Sequence, residues 1–279
     1  MGGSARWRSM VVWTENAEGK KTPLRDENGN IVKVGVRQYT KAERKKLTKI
    51  QKNHHNTKTN PYKIDRGKMR RVLKRDKDDN GNKIPNVMTR DDEFTFMNEY
   101  NTAMKLEPEI TADVKRISNL INAPLLGVSK RRKSVPSATQ KRNRLYSKND
   151  RNEMNDLIRF THEVKNETFG RDVNDALREY RNAGYEITQV KNFWTKPWAY
   201  KGINVTLRNK EGKMFEIQFH TKDSFAVKDS KKMHGLYEEQ RKYKEGTTRY
   251  NELENEMISI VKKSIKEPVG VSEIKNINW

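Results

Sequence analysis

A strongly basic segment in the middle of the chain combines residue types that bind phosphate. Arg131, Lys133, Ser137 and Lys141 occur there with the spacing R-x-K-x-x-x-S-x-x-x-K. On a helix that begins near Ser134, Ser137 and Lys141 share one face, because residues four apart lie above one another. Arg131 and Lys133 would then lie just before the first turn. Cations held at a helix N-terminus are suited to bind a triphosphate.

Two later segments place carboxylates in apolar sequence that is typical of strands. Asp156 begins the segment D-L-I-R-F-T, which includes Arg159. Glu216, Gln218 and His220 alternate with Ile and Phe, so in a strand these three point to one face and the apolar residues to the other. Two carboxylates brought together could hold Mg²⁺ against the phosphates of a nucleotide. The alternative is a polar strand face that is only solvent-exposed.

Aromatic residues precede another predicted strand. Trp194 and Trp198 come shortly before Tyr200, and Asn204 follows four residues later. The pattern places the aromatic rings of these residues just before the strand predicted at residues 203–208.

The distribution of charge favours a polyanionic partner. The net charge is +22, and residues 41–90 contribute +12 of it. Residues 130–148 contain eight Lys or Arg and no acidic residue. A surface with one sign of charge attracts polyphosphates, either nucleic acid or nucleotides. For residues 41–80, a solvated basic tail is an equal alternative.

The composition excludes several classes of protein. The chain contains no cysteine, which excludes disulfides and thiolate metal sites. No apolar run approaches the roughly 18 residues of a membrane span, and the N-terminus lacks the apolar core of a signal peptide. We therefore expect a cytoplasmic protein without a membrane partner. Only 33% of the 279 residues are hydrophobic, so part of the chain should be extended or partner-dependent.

The N-terminal third should hold little regular structure. Residues 7–13 and 31–37 are predicted to be strands of a hairpin, with the Asn-Gly step of Asp26–Asn30 as a turn signal. Residues 41–52 have a basic helical pattern, and residues 54–87 are interpreted as loop or linker.

The remainder has the pattern of an α/β (α+β) domain, a mixed β-sheet flanked by helices. Helices are predicted to begin near Thr89, Thr111, Ser134 and Arg171, and strands are predicted at residues 185–190, 203–208 and 214–219. Two more helices are expected, at about 223–242 and 247–264. We therefore expect a basic N-terminal extension over residues 1–88 and a domain over residues 89–279.

These motifs, in this order, resemble the synthetase domain of RelA/SpoT-type nucleotide pyrophosphotransferases, including phage-encoded and toxin-like members. That family reads approximately R-x-K-x-x-x-S-x-x-x-K, then an acid before an Arg, then G-Y-x-S-x-H, then E-x-Q-x-R-T. The resemblance covers about 110 residues, and several motifs in order are more specific than any one of them.

The resemblance implies a role for each matching residue. Arg131, Lys133 and Lys141, with Ser137 in the same motif, would hold the phosphates of ATP. Asp156 and Glu216 would be Mg²⁺ ligands, and Glu216 or Gln218 would orient the attacking 3′-hydroxyl. Tyr200 would stack on the acceptor base. Arg159, Asn204 and His220 would line the nucleotide site. The implied reaction moves the β,γ-pyrophosphate of ATP to that hydroxyl.

The chain also departs from the family pattern. Asp156 lies three residues before Arg159, where the family has about five. Asn204 replaces a His, His220 replaces an Arg, and Ala199 replaces the Gly before Tyr200. Contacts with the acceptor are therefore altered, and the acceptor stays open: a guanine or adenine nucleotide, or the 3′ end of tRNA.

The cellular setting stays open as well. One alternative is an inactive, DNA-binding protein inside a phage virion, with a capsid or portal partner. Another is a toxin delivered to a target cell, with an immunity-protein partner. The N-terminal charge favours a nucleic-acid partner, tRNA or phage DNA, on electrostatic grounds alone.

Overall fold

The computed structural model describes residues 6–15, 21–38, 62–78 and 81–277. Contacts divide the chain into two compact units, Met1–Asn60 and Pro61–Trp279. The boundary predicted after residue 88 falls inside the second unit, and the helix predicted over residues 41–52 lies outside the described residues.

Four strands form the described part of the first unit, in two antiparallel pairs: β1 (Arg6–Val11) with β4 (Lys33–Gln38), and β2 (Trp13–Glu15) with β3 (Lys21–Pro23). In the predicted turn, Asp26 Oδ1 accepts the backbone N–H groups of Asn28 at 3.0 Å and Asn30 at 2.8 Å. Gly29 has a φ of 79°, which glycine adopts without steric cost. The predicted hairpin is confirmed, and the structure adds the short β2–β3 pair.

The second unit begins with a helix where we predicted a linker. Helix α1 (Arg66–Arg75) lies inside residues 54–87, so the prediction of loop is wrong for these ten residues. Asp65 caps the helix by accepting the Lys68 N–H at 2.8 Å. Met69 and Leu73 alone are buried, and a stripe of two apolar residues in a basic sequence is too weak to predict a helix.

One long helix replaces the two that were predicted after residue 88. Helix α2 (Arg90–Leu120) continues through Pro108 without a break. Its start is as predicted, because Thr89 and Asp92 form a reciprocal capping box. Helix α3 (Val135–Ser147) also starts as predicted, with Ser134 as its N-cap.

A mixed sheet of five strands forms the centre of the second unit and confirms the predicted fold class. The strands, in chain order, are β5 (Leu125–Leu126), β6 (Arg159–Glu163), β7 (Glu186–Asn192), β8 (Ile203–Arg208) and β9 (Met214–His220). Their order across the sheet is β5-β6-β9-β8-β7, and only the β6–β9 pair is parallel.

Helix α4 (Phe169–Asn182) contacts α2 and β7 on the apolar side of the sheet. Val173, Leu177 and Tyr180 bury the face of α4 that its periodicity predicted. This leaves the other side of the sheet for polar residues.

Three helices follow the last strand: α5 (Lys222–Asp229), α6 (Lys231–Gln240) and α7 (Thr248–Ser264). The single helix predicted over residues 223–242 is two, because Ser230 adopts an extended backbone and caps α6 through the Met233 N–H at 3.2 Å. A small apolar cluster, Ala199, Met233, Met257 and Val261, packs these helices together. In the described part of the chain, no helix has the length and apolar composition needed to cross a membrane.

Candidate active site

The polar face of the central sheet collects most of the predicted site residues. Glu216 lies opposite Arg159 of β6 and opposite Thr206 of β8. Gln218 lies opposite Asn204. Directly opposite residues point to the same face of a sheet, so these side chains line one surface. The intervening Ile217 and Phe219 have no exposed surface and belong to the core on the other side, as the alternation predicted.

Asp156 forms ion pairs with two of the predicted phosphate-binding lysines. Lys133 Nζ lies 2.9 Å and Lys141 Nζ 2.8 Å from the same oxygen, Oδ2. Burial raises the pKa of Asp156, but the two lysines outweigh burial and hold this pKa below its ordinary value. Its other oxygen, Oδ1, is buried and has no hydrogen-bond partner in the described part of the chain.

The backbone around Asp156 differs from the prediction. Strand β6 begins at Arg159, so Asp156 lies in the turn before the strand rather than at its start. Backbone bonds join this turn to the basic segment: the Lys133 N–H donates to Leu157 at 2.9 Å, and the Arg159 N–H donates to Arg131 at 2.8 Å. These two bonds place Lys133 beside Asp156 without a strand between them.

Helix α3 positions the remaining residues of the basic motif. Ser134 Oγ accepts the Ser137 N–H at 3.3 Å and lies 3.1 Å from Ser137 Oγ. Lys141 follows Ser137 by one helical turn and reaches Asp156, so the helix start and the acid share one site.

Arg131 is held by a different partner. Its Nε lies 2.5 Å from Oε1 of Glu107, a buried residue of α2, and its Nη1 donates to the Val128 carbonyl at 3.0 Å. Arg132 also pairs with Glu107, at 3.5 Å. In the part of the chain that the structure describes, the Arg131 guanidinium therefore forms no hydrogen bond with Asp156 or Glu216.

Glu216 is the second carboxylate of the site. Its Oε1 accepts from Gln218 Nε2 at 2.8 Å, and its Oε2 accepts from Asn204 Nδ2 at 3.4 Å. Burial raises the pKa of Glu216; Arg159 lowers it, and the negative charge of Asp156 raises it further, with a net shift upward. The two carboxylates are thus close enough to interact electrostatically.

Tyr200 closes one end of the site. Its hydroxyl donates to Asn204 Oδ1 at 2.7 Å and lies 3.0 Å from His220 Nε2. His220 Nδ1 in turn lies 2.9 Å from Ser224 Oγ. Burial, and then the charges of nearby cations, lower the pKa of His220 well below its usual value, so this side chain is neutral near pH 7. Stacking of Tyr200 on an acceptor base stays a prediction.

Gly202 permits this close packing. A Cβ atom at this position would lie 2.6 Å from the His220 ring and 3.1 Å from the Tyr200 hydroxyl. Both distances are shorter than ordinary van der Waals contact, so a side chain here would displace the Tyr200–His220 pair.

Lys228 is a site residue that the motifs did not identify. Its Nζ donates to Gln218 Oε1 at 2.7 Å from the last turn of α5. Burial, with Arg159, lowers the pKa of Lys228 to about 8. A signal was present in the sequence, because Thr221 starts the helix and Ser224 and Lys228 are then four residues apart on one face.

The two carboxylates are a pair rather than a complete metal cage. No arrangement of three or more His, Cys, Asp or Glu side chains suited to a metal occurs among the described residues. Asp156 Oδ1 nevertheless fits a cation ligand, since it is a buried carboxylate oxygen without a protein partner in this part of the chain.

Comparison with known proteins gives no match at the level of sequence. No family model matches the chain, and no curated protein does. Among solved structures, the chain is similar to the type VI effector Tas1, crystallised with its immunity protein, at 22% identity and a TM-score of 0.48. This match covers 65% of the present chain and 98% of the matched crystallised chain.

Two further solved structures are similar. A GTP pyrophosphokinase family protein from Streptococcus pneumoniae is 16% identical, with a TM-score of 0.40 over 63% of the present chain and 90% of its own. The small alarmone synthetase 1 from Bacillus subtilis, bound to its product pppGpp, is 16% identical, with a TM-score of 0.36 over 63% and 94%.

Proposed function

We propose that this chain transfers pyrophosphate from ATP, with Mg²⁺, to the 3′-hydroxyl of a nucleotide or of tRNA. The supporting observation is the pairing of Asp156 with Lys133 and Lys141 beside Glu216, on one face of the sheet. A bound triphosphate would meet fixed cations on one side and a carboxylate base on the other. Phosphoryl transfer needs mainly this positioning and neutralisation of charge.

The proposed reaction conserves atoms and charge in one displacement. The 3′-oxygen of the acceptor forms a bond with the β-phosphorus of ATP. The bond from that phosphorus to the oxygen bridging the α-phosphate breaks, and AMP leaves with the electron pair. The hydroxyl proton passes to the Glu216 carboxylate, which burial makes a stronger base.

The chain's own residues would divide the remaining work. Lys133 and Lys141 would bind the triphosphate and keep Asp156 ionised. Lys228 Nζ donates to the side-chain oxygen of Gln218, so the NH₂ group of Gln218 is directed at Glu216 and would orient its carboxylate. Asp156, through its unpaired Oδ1, would hold Mg²⁺, which would supply positive charge against the phosphate oxygens, while Glu216 would stay free of the metal to accept the proton.

The direct test incubates the purified chain with labelled ATP, Mg²⁺ and each of GDP, GTP, AMP and deacylated tRNA. We expect labelled pyrophosphate on one acceptor, and we expect its loss in Glu216→Gln and in Asp156→Asn. The matched control is Asp175→Asn, which changes an exposed carboxylate of α4 that pairs with Arg178.

Absence of transfer to every acceptor would refute this function. If the chain transferred nothing but still bound DNA in a salt-sensitive manner, the alternative of an inactive, DNA-binding virion protein would be favoured. Capsid genes or an immunity gene beside this gene would distinguish a phage setting from delivery as a toxin.

A further inference from the structure

A cleft between helices α1 and α3 lies outside the candidate active site. It has a volume of about 400 Å³ and includes neither Asp156 nor Glu216. We call it the α1–α3 cleft, and its lining residues are Lys68, Arg71, Val72, Arg75, Val135, Pro136 and Gln140.

The positive charge of the cleft is only partly neutralised by the protein. Helix α1 contains six Lys or Arg residues and no acid. Arg66 and Arg70 pair with Glu93 and are not among the residues that line the cleft. Arg71 and Arg75 line the cleft, are exposed, and form no ion pair with any of the described residues. Two guanidinium groups therefore remain available for an anion.

The cleft also has apolar walls. Val72 of α1 faces Val135 and Pro136 of α3, and all three line the same space. An inorganic anion would use the cations and leave these walls in water. A ligand that alternates phosphate with ribose and base would use both, because the sugar and base present flat or apolar surface.

The position of the cleft relates it to the candidate active site. Pro136 and Gln140 line the cleft, whereas Ser137 and Lys141, one residue further along the same helix, belong to the site. Successive residues of a helix point about 100° apart, so the cleft and the site lie on neighbouring faces of the first turns of α3. A mononucleotide in its own site occupies only one of these faces, whereas a polynucleotide strand can continue from one to the other.

We infer that the α1–α3 cleft binds the sugar–phosphate backbone of a single-stranded nucleic acid that continues over the first turn of α3 towards the active site. Arg71 and Arg75 bind successive phosphates, and Val72 and Pro136 contact the sugars or bases between them. This binding requires no transfer reaction, so it can be tested separately from the proposed function.

The test measures binding of a labelled single-stranded RNA of about 12 nucleotides, a span within that of known single-strand sites. The full-length chain is compared with Arg71→Gln/Arg75→Gln by fluorescence anisotropy at several salt concentrations. The control is Lys74→Gln/Lys77→Gln, which removes the same charge from exposed residues that do not line the cleft. Thermal melting checks that each variant is folded.

We expect the cleft variant to weaken RNA binding about tenfold and to reduce the salt slope by about 1.4, the value for two lost contacts with a single strand. The control variant should weaken binding by less than about threefold, because its two lost charges contribute only nonspecific electrostatic attraction. Equal weakening in both variants, or none in the cleft variant, would overturn the assignment.

Competition with two other polyanions tests whether the cleft selects single-stranded nucleic acid. Double-stranded RNA of the same sequence and inorganic polyphosphate are added at equal phosphate concentration. Weak displacement by both is expected, because neither presents unstacked bases to the apolar walls. Full displacement by polyphosphate would show that the cleft recognises charge alone, and preferred binding of the duplex would exclude a single-strand site.

Discussion

Glu216 is half-buried and lies close enough to Asp156 for the two charges to interact: burial raises the pKa of Glu216, Arg159 lowers it, and the Asp156 charge raises it. Asp156 itself has a lowered pKa, because Lys133 and Lys141 outweigh the effect of burial. The site therefore separates two carboxylates into one that stays ionised and one that is a stronger base.

Replacing Asp156 should make Glu216 more acidic. In Asp156→Asn the negative charge is lost while the two lysines remain, so the pKa of Glu216 should fall towards its ordinary value. The measurement is a ¹³C NMR titration of the Glu216 carboxyl in ligand-free protein, which does not depend on activity. Asp175→Asn should leave the titration unchanged, and an unchanged titration in Asp156→Asn would show that the two carboxylates are not coupled.

Lys228 should impose an alkaline limit on activity. Its pKa of about 8 means that it is charged below this pH and loses its charge as the pH rises through it. Transfer should accordingly decline above about pH 8, whereas Lys228→Arg, which stays charged, should remain active at higher pH. Lys228→Met should lower kcat on the order of 100-fold below about pH 8, where the lysine of the unchanged chain is charged, the size expected for a lost donor in a site.

The control for Lys228 is Lys222→Met, at an exposed position of the same helix. Its kcat and its pH profile should match those of the unchanged chain. If Lys228→Arg lost activity over the same pH range as the unchanged chain, the alkaline limit would belong to another group.

A methyl group at Gly202 should destabilise the protein. The added Cβ would lie 2.6 Å from His220, and overpacking of this kind costs about 1–3 kcal/mol. Urea denaturation measures the free energy of unfolding. Gly235→Ala is the control, since nothing lies within 4 Å of its Cβ position in α6 and alanine there should stabilise by about 0.5–1 kcal/mol. Equal stability of the Gly202 variant and the unchanged chain would refute the packing described for Tyr200.

Arg142 should be necessary for folding stability. This arginine is 1% exposed, pairs with Glu99 of α2 and donates to the Asn152 carbonyl at 2.8 Å. Arg142→Met leaves Glu99 buried without its cation, a loss that costs about 3–5 kcal/mol. Arg178→Met breaks an exposed pair instead and should cost about 0.5 kcal/mol or less. Similar midpoints of denaturation for the two variants would contradict this difference.

Elements whose signals are local could be predicted well. The capping box of Thr89 and Asp92, the Ser134 cap and the alternation from Glu216 to His220 each depend on residues a few positions apart. Such signals act within one turn or one strand, so the chain reveals them without its fold.

Elements that depend on distant partners could not be predicted. Helix α1 packs through Met69 and Leu73 against the rest of the core, and its Arg66 pairs with Glu93 of α2. Helix α2 continues through Pro108 although a proline removes one backbone bond, because packing along its length stabilises it.

The sequence by itself determined the motifs: which residues carry charge, which alternate along a strand, and which begin a helix. Only the tertiary structure decided the partners of those residues. It joined Asp156 to Lys133 and Lys141, held Arg131 on Glu107, and added Lys228 to the site. The physical reason is that electrostatic and hydrogen-bond energies depend on distance and burial, and both are properties of the folded chain rather than of residue order.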